Sequence, residues 1–164
     1  MYYLGWCHGP VGTSRLYYSL FEATKDEAWL KKIKHTANSL MLEGIDKHET
    51  AGFWNNVGVC CGTAGVAEYF LWLYDISADK DYLEFSLDLT QNLITSLTHE
   101  DDHIKWIQAE HRSRPDYVAA QTGLMQGSAG IGLWFLQLMA HQTGRQAQIT
   151  LPDKPETYTL RGDQ

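Results

Sequence analysis

Apolar positions along the chain fall into two kinds of helical stretch, and the two kinds alternate. After Gly65, Val66, Ala67, Tyr69, Phe70, Leu71, Trp72 and Leu73 leave only Glu68 as a strong polar exception. That pattern predicts a helix buried on most sides. Elsewhere the apolar residues keep to one stripe. Trp29, Ile33, Ala37, Leu40 and Met41 recur at helical spacing, with Lys31, Lys32, Lys34 and Asn38 on the other faces. Leu83, Leu87, Thr90, Ile94 and Leu97 do the same beside Glu84, Asp88, Gln91 and Asn92. These predict amphipathic helices with one wet face. The short polar links "TKDE" and "SADKD" join each buried helix to its amphipathic partner, as in an antiparallel helical hairpin.

The buried helices share an opening. "CHGPVGTSRLYYSL" begins at Cys7, "CCGTAGVAEYFLWL" at Cys60 and "MQGSAGIGLWFLQL" at Met125. Each carries a glycine (Gly9, Gly62, Gly127) followed three residues later by another (Gly12, Gly65, Gly130). The anchoring glycines lie 53 and then 65 residues apart, an irregular internal repeat. Thr63 and Ser128 stand where a hydroxyl can cap a helix, and Pro10 suits a first turn. The order is therefore inner helix, outer helix, inner, outer, inner. This predicts an all-α fold, an incomplete α/α toroid of about two and a half glycine-turn hairpins. The expected division is a toroid domain over 1–144 and a C-terminal tail over 145–164, since the tail has two prolines and no apolar stripe.

Composition narrows the function classes. The 164 residues are 44% hydrophobic and 20% charged, which suits one soluble globular domain. A formal charge of −7 argues against nucleic acid and anionic membrane surfaces, which favour clustered Lys and Arg. No apolar run is long enough to span a bilayer, and the N-terminus lacks signal-peptide features, so the expected location is cytoplasmic. In a reducing compartment three cysteines lean towards metal binding or catalysis rather than bridges.

The glycine turns bring the N-terminal ends of the inner helices to one rim. Cys7 aligns there with Cys60, and His8 with Cys61. Three thiols from two neighbouring turns suit Zn2+, and three protein ligands leave a fourth position open, as at catalytic sites. Vicinal cysteines match no standard zinc finger or ribbon, so by spacing alone buried core thiols are the competing reading.

"GWCHGPVG", "VCCGTAG" and "GLMQGSAGIG" resemble the repeated turns of the lanthionine synthetase C-like (LanC-like) family, over roughly residues 4 to 142. The resemblance implies an α/α toroid whose zinc ligands map to Cys7, Cys60 and Cys61. Most of that family carries histidine at the Cys61 position, so this sequence is similar to the all-cysteine minority. It also implies a substrate: a dehydrated precursor peptide, whose cysteine thiol adds to dehydroalanine or dehydrobutyrine, or a small thiol such as glutathione. His8 is the implied proton donor, with a role in orienting the turn or a ligand as the plainer alternative. The family's acid/base histidine and aspartate belong to earlier repeats, and Tyr2, Tyr3 and Leu4 stand where it often has an arginine. An upstream domain or a second copy would supply missing repeats. A non-catalytic zinc-stabilised module that binds peptide or protein is the reading from another class.

Other features carry less. "HEDDHIKW" from His99 gathers histidines and acids but reads as a solvated loop between helices. Arg112 and Arg114 read as a salt-bridged loop. Gly127, Gly130 and Gly132 imitate a dinucleotide fingerprint, but no strand is expected before them. Tyr17, Tyr18 and Phe21 read as core at helical spacing, and the "RGD" of the tail as chance.

Overall fold

The computed structural model describes residues 4–48, 56–111 and 113–145. Five helices dominate: α1 (Pro10–Thr24), α2 (Ala28–Leu42), α3 (Thr63–Ser77), α4 (Lys80–Thr95) and α5 (Ser128–Gln142). Helices α1 and α2 pack as one hairpin and α3 and α4 as a second, while α3 lies between α1 and α5. This is the expected alternation of inner and outer helices, with no outer helix after α5 among the described residues. The "RGD" tail and Arg112 lie outside those residues.

Burial follows the patterning in α3, whereas α1 and α5, expected to be buried on most sides, leave Leu16, Leu136 and Met139 exposed. Eleven consecutive residues of α3, Thr63 to Leu73, are buried. Glu68 is among them and does not reach water: it faces Arg15 of α1 at 3.8 Å, and both side chains are buried. Next to that pair the Tyr69 hydroxyl donates to Ser14 Oγ at 3.0 Å, so polar groups lock the α1–α3 contact. In α2, Ile33, Ala37 and Leu40 are buried, as the stripe predicts. Tyr17 and Tyr18 are half-buried against the core, and Phe21 packs on Tyr18.

The α4 stripe is rotated from the expected one. Tyr82, Phe85, Leu89 and Leu93 are buried with Thr90, whereas Leu87 and Ile94 are exposed. The aromatic rings decide the phase. Phe70 of α3 meets Phe85 at 4.5 Å and Tyr82 at 5.9 Å, and burying two rings outweighs burying one leucine and one isoleucine.

"HEDDHIKW" and "AEHRSRPDY", expected as loops, lie in two antiparallel hairpins over 97–119, and Leu97, expected on the helical stripe, opens the first strand. Strands β1 (Leu97–Glu100) and β2 (His103–Trp106) pair Leu97 with Trp106. Strands β3 (Gln108–His111) and β4 (Arg114–Ala119) pair Gln108 with Ala119. "HEDDHIKW" is thus an exposed hairpin with Asp101 and Asp102 at its turn. The anchor is Trp106, whose Nε1 donates to Leu93 O at 2.7 Å and whose ring packs on Phe135. Gln108 is buried and its Oε1 accepts from Val57 N–H at 3.3 Å, tying the hairpins to the second glycine turn. Arg114 lies over the Tyr117 ring at 5.1 Å and makes no salt bridge among the described residues, where one was expected. The α2–α3 connection runs over 43–62 and the α4–α5 connection over 96–127, so the second is 12 residues longer (32 − 20). The same 12 separate the two repeat spacings (65 − 53). The irregular period therefore comes from the α4–α5 connection, which carries the hairpins.

Candidate metal centre

Each inner helix begins at a glycine N-cap, Gly9, Gly62 or Gly127, with extended backbone. None of these caps uses a side chain. Thr63 and Ser128 occupy the first helical position, and their hydroxyls donate backwards to Asn56 O and Gln121 O. The exposed helical N–H groups are met by backbone. Thr63 and Ala64 donate to Asn56 O and Val57 O, Ser128 and Ala129 to Gln121 O and Thr122 O, and Val11 to Leu4 O. Every bond reaches back seven residues, so the turn before each helix is a closed loop with one shape. Pro10, without an N–H, fits the first of these starts.

The three loops are stitched side by side. Cys7 N–H donates to Cys60 O at 3.3 Å, Trp6 N–H shares that oxygen at 2.8 Å, and Cys60 N–H donates to Met125 O at 2.7 Å. Close approach requires Gly5 and Gly58: a Cβ on Gly5 would lie 2.7 Å from Cys61 Cα, and one on Gly58 2.7 Å from Gln126 Cα. Sequence reasoning passed over this pair. The signal was present, because the residue two before Cys7, Cys60 and Met125 is glycine each time.

The stitching brings the cysteines together. Cys7 Sγ is 3.0 Å from Cys61 Sγ, and Cys61 Sγ is 3.4 Å from Cys60 Sγ. All three sulfurs lie within 4.8 Å of one another, half-buried and free of disulfides, a set that can hold a metal ion. Zinc–sulfur bonds of about 2.3 Å in a tetrahedron separate sulfurs by about 3.8 Å, close to these distances. His8 is exposed, and its Nδ1 lies 3.1 Å from Cys7 Sγ. His99 and His103 stand apart on their hairpin and join no metal-holding group among the described residues.

The thiols are not equivalent. Burial opposes ionisation of Cys7, yet hydrogen bonds from Cys61, His8 and Cys60 outweigh it and lower its pKa. Burial raises the pKa of Cys60, and hydrogen bonding and charge at Cys7 add to the rise. Cys61 is raised furthest, by burial and then by Cys7 and Cys60. One thiolate forms readily and suppresses the other two. A bound cation would relieve that suppression, because it favours every thiolate at once.

The glycines of the third turn make no phosphate cradle, although β4 does precede them, contrary to expectation. Eight residues separate Ala119 from Ser128, and a Cβ on Gly130 would overlap the loop's own Leu124 carbonyl. No described helix is long and apolar enough to cross a membrane.

Comparison with known proteins gives a family for the chain. A family model described as lanthionine synthetase C-like protein matches residues 2–150. No individual curated protein matches the chain. The match spans nearly the whole sequence, and the chain belongs to the lanthionine synthetase C-like family.

Proposed function

We propose that this chain is a zinc-dependent lanthionine cyclase-like protein that promotes addition of a peptide cysteine thiol to dehydroalanine or dehydrobutyrine. The convergence of Cys7, Cys60 and Cys61 within 4.8 Å carries the reading. Zn2+ in such a site lowers the pKa of a substrate thiol, so that it is a nucleophile near neutral pH. Cys7, Cys60 and Cys61 would hold the ion, and three protein ligands would leave a fourth position for substrate. In the addition, sulfur bonds to the β-carbon and the double-bond electron pair moves towards the carbonyl. The α-carbon then takes one proton, so the thiol hydrogen is retained overall. His8 would deliver that proton; its exposure and its Nδ1 contact with Cys7 Sγ support that role. The partner is a dehydrated precursor peptide, and a small thiol such as glutathione is the alternative nucleophile.

The test is to mix the reduced, zinc-loaded chain with a dehydrated cysteine-containing peptide and count alkylatable thiols over time. Thiol loss without change of peptide mass, slowed about 10²-fold by His8→Ala, is the expected result. Binding without thiol loss would make the chain a zinc-stabilised binding module. Loss only with added glutathione, with a matching gain in mass, would make it an adduct-forming relative. Three thiolates also leave the site more anionic than two thiolates and an imidazole. Cys61→His should therefore keep zinc but slow cyclisation, and a faster variant would count against that reasoning.

Zinc loading should also release protons. Cys60 and Cys61 have raised pKa values and are protonated at pH 7, whereas Cys7 is lowered from 9.0. Between about two and three protons should leave per ion, and affinity should weaken as pH falls. Calorimetry in buffers of different ionisation enthalpy reads that number. Release of fewer than two would mean that not all three thiols ionise on the metal.

A further inference from the structure

We propose that Cys7 and Cys61 are also a reversible oxidation site, which hydrogen peroxide closes to a disulfide between the first two glycine turns. The bridge takes two of the three sulfurs away from any metal, so oxidation regulates the centre described above. That consequence rests on the zinc reading; the bridge itself does not.

Three observations carry it. The first is distance. Cys7 Sγ and Cys61 Sγ are 3.0 Å apart, and a disulfide needs about 2.0 Å, so closure asks for a movement of about 1 Å. The second is the frame around them. Trp6 N–H and Cys7 N–H share the Cys60 carbonyl at 2.8 and 3.3 Å. Gly5 lets the first turn come so close that a Cβ there would lie 2.7 Å from Cys61 Cα. The backbone therefore holds the two cysteines face to face with no need of a metal, although they lie 54 residues apart in sequence. The third is access. Both side chains are only half-buried, so a small oxidant reaches them, unlike the thiols of a closed core. Cys60 is the poorer partner. Its Sγ is 3.4 Å from Cys61 Sγ, but a bridge between adjacent residues closes a small ring over their own peptide bond, which the planarity of that bond opposes.

The chemistry balances in two steps. Cys7 sulfur attacks the peroxide: the O–O bond breaks, an S–O bond forms, and a sulfenic acid and one water result. Cys61 sulfur then attacks Cys7 sulfur; the S–O bond breaks, the S–S bond forms and a second water leaves. Two thiols lose two electrons and their two hydrogens, and the peroxide is reduced to two waters. On the metal-loaded chain the sulfurs carry no hydrogen, and solvent supplies the two protons. Cys60 is left as a single thiol, too few ligands to keep an ion. A dithiol reopens the bridge by exchange.

Alkylation and intact mass test this on the full chain, metal-free and zinc-loaded, at a chain concentration too low for bridges between copies. In metal-free protein, a modest excess of hydrogen peroxide should lower the alkylatable thiols from three to one and leave the chain two hydrogens lighter. Dithiothreitol should restore all three. Cys60→Ser should bridge as readily and keep no alkylatable thiol. Cys61→Ser should not bridge, and its Cys7 should go on to the sulfinic acid with a gain of two oxygens. From the zinc-loaded chain, a chromogenic chelator should register about one ion released per bridge formed. Three thiols that persist, oxygen gained without bridging, or a Cys61→Ser chain that bridges at the unaltered rate would overturn the proposal. A zinc-loaded chain that keeps its ion under peroxide would overturn the regulation. A chain that never loads zinc counts against the cyclase-like reading instead, and the metal-free arm still decides the bridge.

Discussion

Alanine in place of Cys61 should reduce bound zinc from about one ion per chain to a small fraction of that after dialysis against a mild chelator. Zinc-finger sites gain about 10–16 kcal/mol on binding, shared over four ligands, so each thiolate is worth about 3–4 kcal/mol. That is a loss of a few hundred-fold in affinity. The fold should survive. Cys61 is half-buried in a loop held by backbone bonds, and the core lies behind it in α3. Elemental analysis of reduced protein, read beside far-UV circular dichroism, separates loss of metal from loss of structure. Near-zero zinc in the unsubstituted chain would remove the foundation of the proposed chemistry. Cys7→Ala should be as severe, because it also removes the sulfur that anchors His8.

The second large effect concerns the backbone beneath the sulfurs. A Cβ on Gly65 would overlap the carbonyl oxygen of Val59. That carbonyl cannot easily retreat, because the next residue, Cys60, is bonded to Met125 on one side and to Trp6 and Cys7 on the other. Gly65→Ala should therefore cost about 3 kcal/mol, the upper end of ordinary overpacking. The melting temperature should fall by about 6–12 °C, and zinc should be lost with it. Gly132→Ala is the internal control. It too lies inside a helix, but nothing stands within 4 Å of the added methyl. There alanine should gain roughly 0.5–1 kcal/mol through helix propensity. If calorimetry found the two substitutions alike, the closeness of loop and helix would not be what Gly65 serves.

The helical hairpins were legible because two signals agreed. Paired glycines marked each start, and the change from all-round to one-sided apolarity marked inner and outer helices. The sulfur cluster was legible for the same reason, since the repeat register places Cys7 beside Cys60. What could not be read were features fixed between segments. The buried face of α4 depends on where Phe70 of a different helix places its ring. The hairpins of 97–119 have four-residue strands with exposed polar positions, too short for an alternating pattern to emerge, and their anchor is Trp106 bonding to Leu93 O. Glu68 read as a polar interruption because its partner, Arg15, lies one repeat earlier.

The 12 additional residues before α5 have a consequence for how such a chain can diverge. They lie wholly in the connection from an outer helix back to an inner one, while the loop from Gly123 to Ser128 keeps the shape of its counterparts. Insertions and deletions there alter the outline of the molecule without shifting the register of the rim. Drift in length is thereby uncoupled from drift in ligand position, and the sulfurs can stay fixed while the surface around them is rewritten.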